Sequence, residues 1–278
     1  MRKLTLALLL AFGLIAVACG SDTTVDSAGN SVDCDNPTLE TAGTLTVATG
    51  EPAFLPWVAD DNPESQEGFE AALVYALAAE MGIDNVVWTR TGFDDAISPG
   101  AKAYDFNIQQ FSITDAREEV VDFSDGYYEV EQAIIGAADG AASSAESVDD
   151  LKELKLGAAI GTTSLDYIED TIEPDDQAAV FDDNVAAKSS FDAGQVDAIV
   201  FDLPTAYYIT AVEIPEAAIL GVLPREGTPE ELGMLFEEGS PLVPCVNAAL
   251  STLKDNDAIE KLEDEWLNSG GSIPTLSN

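Results

Sequence analysis

Two side chains of opposite charge carry the clearest chemistry in this sequence, and they lie far apart in it. Arg117 closes the run Thr114-Asp115-Ala116-Arg117. Its guanidinium is a planar, permanently charged fork that takes a carboxylate on two N–H groups, a fit that lysine matches less well. Asp202 ends the apolar stretch Ala198-Ile199-Val200-Phe201, and a single carboxylate at the end of a buried strand is suited to hold an ammonium group. Together they would complement a zwitterion, whose two charges cannot be buried without partners. Each has a plainer alternative. Arg117 could pair on the surface with Glu118 or Glu119, worth only ~0–1 kcal/mol, and Asp202 could cap the turn at Pro204. Gly161-Thr162-Thr163 stands where a strand meets a helix, so its N–H groups either receive an anion or simply begin a helix that a threonine caps.

Composition removes several competing chemistries. There is no histidine among the 278 residues, which excludes histidine general bases, Ser-His-Asp triads and histidine-ligated metals. Paired-cysteine zinc patterns, phosphate loops and dinucleotide fingerprints are also missing. No cofactor is therefore expected. With 52 acidic against 11 basic side chains the formal charge is −41, so nucleic acid and anionic membrane surfaces would repel the protein.

The N-terminus reads as an export signal over 1–18: Arg2 and Lys3, an apolar run from Leu4 to Val17, then Ala18. That run falls short of the ~20 residues that span a bilayer. Ala16-Val17-Ala18-Cys19 is similar to the lipobox of bacterial lipoproteins, which would make Cys19 the lipidated first residue of the mature chain. The alternative is an ordinary signal with an incidental cysteine. The polar stretch Gly20–Asp33 suits a flexible tether, so residues 19–43 are expected to link a lipid anchor to the folded part, outside the cytoplasm. Cys34 and Cys245 remain, and an exported pair is usually a disulfide. Closing so long a loop would constrain the unfolded chain by about 4 kcal/mol; two buried thiols are the alternative.

The mature length allows two modest domains, or one chain crossing between two lobes. Leu45–Thr49 suits a strand, and Phe69, Leu73, Leu77 and Met81 mark one helix face that Gly82 ends. A strand follows at Val86–Trp88, a short helix at Phe93–Ile97, a strand at Asp105–Ile108 and a helical turn at Ile113–Glu119. Ala137–Asp150 is a small, polar, acidic connector, after which strand and helix alternate again from Leu156. The second set comprises strands at Leu156–Ile160, Ala179–Phe181 and Asp197–Phe201, with a helix over Val185–Ala193. Gly221–Leu235 looks extended enough to return to the first lobe. One closing helix carries Val246, Leu250, Leu253, Ile259, Leu262 and Trp266 on a face, and Ser269–Asn278 reads as a tail without fixed structure. Alternating elements of this kind imply α/β sheets with ligands at the strand ends.

Tyr104-Asp105-Phe106-Asn107-Ile108-Gln109-Gln110-Phe111-Ser112-Ile113-Thr114-Asp115-Ala116-Arg117, followed by Val121-Asp122-Phe123-Ser124-Asp125-Gly126-Tyr127-Tyr128, resembles the signature of family 3 periplasmic solute-binding proteins. The likeness runs from about Gly43 to Trp266, through Gly68–Glu70, Phe93-Asp94, Gly161-Thr162-Thr163 and Asp197–Asp202. It implies a two-lobe, type II periplasmic-binding-protein fold, with lobe 1 at 44–133 and 222–268 and lobe 2 at 134–221. It further implies a monomer that carries a free amino acid, polar or basic, to the permease of an ABC importer.

By the same resemblance Arg117 and Ser112 would take the α-carboxylate, and the carbonyl of Gln110 and the carboxylate of Asp202 the α-ammonium. Thr162 and Thr163 would bind from the second lobe, and Phe54 and Phe93 would hold the ligand side chain between them. Glu51 would meet a distal charge, although the alignment allows Gly50 in its place. Gln110 replaces a small residue and Ala72 an acidic one. A cyclohexadienyl dehydratase on the same fold, or a ligand-binding sensor, are the alternatives in function.

Overall fold

The computed structural model describes residues 24–25, 31–225, 227–267 and 271–278. Cys19 and the leader ahead of it, on which the lipid-anchor expectation falls, lie outside the described residues. Two short strands, β1 (Thr24–Val25) and β2 (Ser31–Val32), pair antiparallel. The chain continues as β3 (Thr44–Thr49), α1 (Phe69–Glu80), β4 (Asn85–Arg90), α2 (Phe93–Ile97), β5 (Phe106–Asn107), α3 (Asp115–Glu118) and β6 (Asp122–Phe123). It crosses through β7 (Tyr128–Val130) into β8 (Gln132–Ala137), β9 (Leu156–Ala159), α4 (Thr163–Tyr167), β10 (Ala179–Phe181), α5 (Asn184–Asp192), β11 (Ala198–Asp202), α6 (Leu203–Tyr208) and β12 (Ala217–Val222). It returns through β13 (Glu230–Leu232) and β14 (Leu235–Phe236) to α7 (Val243–Asp255) and α8 (Ala258–Trp266).

The strands make two five-stranded mixed sheets, ordered β4-β3-β5-β14-β6 and β10-β9-β11-β8-β12. In the first, β3 pairs parallel with both β4 and β5, and α1, which links β3 to β4, buries Phe69, Leu73, Val74 and Leu77 against Leu45, Val47 and Phe106. α7 and α8 close the same core with Val246, Leu250, Leu253 and Ile259. Cys34 is disulfide-bonded to Cys245, with Cα atoms 5.3 Å apart, which ties the segment before β3 to the first turn of α7. In the second sheet, Ile134 and Val200 pack on one face while Ile135 and Ile199 pack on the other. Adjacent residues of a strand point to opposite faces, so both faces of this sheet are covered, as near-continuous apolar runs require. This is the bilobed type II periplasmic-binding-protein fold.

Three expectations change in the structure. The closing helix is two: the chain turns at Asn256–Asp257, where Asp257 has φ +60°, and the turn lets both apolar faces reach one core. An interior strand of the second sheet, β8, precedes the acidic connector, and it runs antiparallel to β11 and β12. The C-terminal residues, expected to lack fixed structure, dock on the second lobe. Leu276 is buried in its core, and Val222 and Leu276 exchange backbone bonds with the tail and with each other's strand: the N–H of Val222 donates to Pro274 O at 3.0 Å and that of Leu276 to Val222 O at 2.9 Å. One well-placed leucine and a free strand edge suffice to order a short polar segment.

Candidate functional site

The chain passes between the sheets twice, through β7–β8 and β12–β13, and the strand ends of both sheets face one cleft. In this structure the two walls meet across it. Trp57 Nε1 donates to Thr205 Oγ1 at 2.9 Å and Arg117 Nη2 to Gly161 O at 2.8 Å. The cleft encloses a cavity of about 200 Å³ lined by Glu51, Phe54, Phe93, Gln110, Ser112, Arg117, Thr162, Thr163 and Asp202. Every residue singled out from the sequence for ligand contact thus borders a single space, although they are spread over some 150 positions of chain.

Arg117 reaches this space because α3 is a single helical turn, with Thr114 as N-cap accepting the Arg117 N–H at 3.3 Å. The side chain is buried, with 8% of its surface exposed. Its Nη1 donates to Ser112 O at 2.6 Å, and the guanidinium carbon lies 5.5 Å from the centre of the Phe93 ring. Phe93 in turn stacks on Phe111 at 4.5 Å. Burial draws the Arg117 pKa down, against the pull of the Asp166, Glu230 and Asp202 carboxylates. No salt bridge of 4 Å or less joins Arg117 to an acidic side chain among the described residues, so its remaining N–H groups are available to an incoming anion.

Asp202 is the N-cap residue of α6 by position, but its side chain makes no capping bond. Instead Gln132 Nε2 donates to Asp202 Oδ1 at 2.7 Å, and Gln132 Oε1 accepts from Ser164 Oγ at 2.5 Å. The amide of Gln132 therefore fixes the orientation of the carboxylate. Asp202 keeps part of its surface open to the cleft, yet burial pushes its carboxyl up to about 7, the charge of Glu230 adding to the rise and the Gln132 bond opposing it. A carboxylate held this way is destabilised until a cation arrives.

Gln110 sits at φ +53°, a left-handed conformation that favours glycine, which explains why a small residue would be usual there. Glu70, the second residue of α1, holds it in place. Its Oε1 accepts from the Gln110 N–H at 2.8 Å and from Tyr127 OH at 2.5 Å, and its Oε2 from the Gln110 side-chain amide. The Gln110 side chain is thereby drawn toward Glu70. Burial raises the Glu70 carboxyl to about 7, and these three hydrogen bonds oppose the rise.

Thr162 serves as the cap of α4: its Oγ1 accepts from the Leu165 N–H at 3.2 Å and donates to Ala159 O at 2.7 Å. The hydroxyl of Ser112, expected to donate to a ligand, and that of Thr163, at a helix start expected to bind through its N–H groups, both donate to Glu230 Oε1 in this structure, at 2.5 and 2.6 Å. Glu51 is exposed at the rim, with Asp182 across the cavity. Sequence reasoning missed the roles of Glu70, Gln132 and Glu230. Glu70 carried a signal, an acid at the start of a helix. Gln132 and Glu230 lie in no motif, and only folding brings them to the cleft.

A hinged pair of α/β lobes with a buried cation on one wall and an anion on the other defines a clamp for small solutes that carry both charges. The chain belongs to the bacterial extracellular solute-binding proteins, family 3, whose profile matches residues 45–269. It is 32% identical over 212 residues to a probable histidine-binding protein of Campylobacter jejuni, covering 74% of this chain and 76% of that one. It is 25% identical over 230 residues to the L-cystine-binding protein TcyJ of Escherichia coli, covering 82% and 84%. Among solved structures, an ancestral arginine-binding protein bound to arginine superimposes with a TM-score of 0.69 at 29% identity, covering 81% of this chain and 99% of that chain. An ancestral amino acid-binding protein, a precursor of cyclohexadienyl dehydratase, does so with a TM-score of 0.69 at 30% identity, covering 81% and 96%.

Proposed function

We propose that this protein captures a free amino acid with a polar or basic side chain and delivers it to an ABC importer. The observation that carries the reading is the convergence of Arg117 and Asp202, from opposite lobes, on one enclosed cleft. The α-carboxylate is assigned to Arg117, and the α-ammonium to Asp202 together with the main-chain carbonyl of Gln110. Phe54 and Phe93 border the path of the ligand side chain. Glu51 and Asp182 at the rim favour a positive distal group, and the relatives named for histidine and arginine support the same preference. Because the two charged partners sit on different lobes, the ligand stabilises the closed clamp through contacts that the open form lacks. A permease can then distinguish the loaded from the empty protein.

The anchoring belongs to the same reading. Residues 1–18 are an export signal, Cys19 carries the lipid, and the stretch between Cys19 and the disulfide-bonded Cys34 tethers the clamp as a monomer to the outer face of the cell membrane. The lobes comprise 44–131 with 223–267, and 132–222 with the docked residues 271–278. Isothermal titration of the mature protein, refolded to strip bound solute, against the twenty amino acids, prephenate and arogenate tests the binding reading. One-to-one binding of an amino acid, lost in Arg117→Ala and Asp202→Ala, is the expected result. Turnover of prephenate or arogenate with no amino-acid binding would replace it with the dehydratase reading.

A further inference from the structure

Glu230 is a buried, fully bonded acid beside the cleft that the binding reading does not use. It opens β13, on the second crossing between the lobes, and 3% of its surface is exposed. Its Oε1 accepts two hydroxyl protons, from Ser112 on the first lobe and from Thr163 at the start of α4 on the second. The two hydroxyl oxygens lie 3.3 Å apart. Its Oε2 accepts from Arg225 Nη1 at 2.6 Å. Arg225 follows β12, and its Nε also donates to Thr228 O at 3.2 Å, which folds the returning crossover back on itself.

A serine or threonine hydroxyl has one proton to donate. While Ser112 and Thr163 give theirs to Glu230, neither can donate to a ligand carboxylate. They offer only lone pairs to the cavity. A buried acceptor that receives hydrogen bonds from two opposing walls is stabilised by their approach, and is left poorly satisfied when they separate. Ordinary packing at a hinge would not require a carboxylate there, and a buried carboxylate is kept only where its oxygens are satisfied.

We propose that Glu230 is a positioning residue that clasps the two lobes: its carboxylate joins Ser112 to Thr163 and draws the walls together independently of the ligand, leaving the ligand's α-carboxylate to Arg117. This rests on the binding reading for its consequence, since the clasp sets how much of the empty protein is already closed, and affinity scales with that fraction. The clasp itself is a property of the ligand-free chain.

Solution X-ray scattering of the ligand-free mature protein tests it directly, comparing the parent with Glu230→Ala and with Thr163→Val, which removes one hydroxyl and keeps the side-chain shape. Both variants should show a larger radius of gyration. Curves that superimpose on the parent would overturn the clasp. Titration with the amino acid that the parent binds supplies a second readout. Glu230→Ala should bind on the order of tenfold more weakly, and adding Thr163→Val to it should cost no more. Tighter binding by Glu230→Ala would overturn the proposal, because the freed hydroxyls would then be ligand donors. Should Glu230→Ala fail to fold, the scattering of Thr163→Val decides alone. Should the parent bind no amino acid, the binding reading fails and the scattering comparison still judges the clasp.

Discussion

With the α-ammonium on Asp202, as proposed, ligand affinity depends on pH in a direction set by that carboxyl. In the empty cleft its carboxyl is raised from 3.8 to about 7, chiefly by burial. A bound α-ammonium requires the ionised form, so the ligand must expel a proton whenever the acid holds one. For a carboxyl that titrates at about 7, the apparent affinity is reduced by the protonated fraction. It falls about tenfold between pH 8 and pH 6, equivalent to about 1.4 kcal/mol. The ligand chosen should carry no group that titrates in this interval, which excludes histidine. Calorimetry in two buffers of different ionisation enthalpy measures proton release at the same time: close to one proton per ligand is expected at pH 6 and almost none at pH 8. Glu70 is also raised to about 7, so Asp202→Asn is the control, and its residual affinity should be flat across the interval. An unchanged affinity between pH 6 and pH 8 in the parent, or a slope preserved in Asp202→Asn, would refute the assignment of the ammonium to this carboxylate.

Arg117→Ala should lower affinity by about 2–5 kcal/mol, because the ligand carboxylate is then buried without a partner; titration calorimetry reads it. Gln110→Gly relieves the left-handed backbone but gives up the side-chain bond to the buried Glu70, so its melting temperature should lie between those of the parent and Gln110→Val. Gln110→Val should lower stability by about 1–3 kcal/mol, measured by denaturant unfolding. Reduction of the Cys34–Cys245 bond, or Cys245→Ala, should lower unfolding free energy by about 2–5 kcal/mol. It should leave ligand selectivity unchanged, because the bond lies in the first lobe away from the cleft. Ligand-free stability should fall as pH rises from about 5 to about 8, because Glu70 and Asp202 hold protons in the folded protein that the unfolded chain has released. Thermal melts at the two ends of the range, with and without Glu70→Gln, measure the share due to Glu70.

Much of the architecture was legible along the chain. The helix faces of Phe69, Leu73 and Leu77 and of Val246, Leu250 and Leu253 repeat at helical spacing because one side of each must be buried. The apolar strands at Leu156 and Ala198 were equally plain, since both faces of that sheet are covered. Short or interrupted elements were harder. β6, β7 and β14 are two or three residues long, too short for a period to show. The break between α7 and α8 depends on one left-handed aspartate in an otherwise continuous amphipathic pattern. The docked tail depends on an edge that only the folded second lobe presents.

For the site, residue type alone determined which groups could hold charge: a forked cation at Arg117 and a solitary anion at Asp202, in a chain with no histidine for other chemistry. Covalent structure settles those capacities before folding. What each polar atom does with its protons was decided only by the tertiary structure. Ser112 and Thr163 could have donated to a ligand, and instead donate to Glu230, which lies 118 and 67 positions away. Asp202 could have capped a helix, and instead takes its orientation from Gln132, 70 positions away. A hydrogen bond needs its partners within about 3 Å and aligned, and no local pattern of sequence encodes distances between segments that meet only when the lobes form.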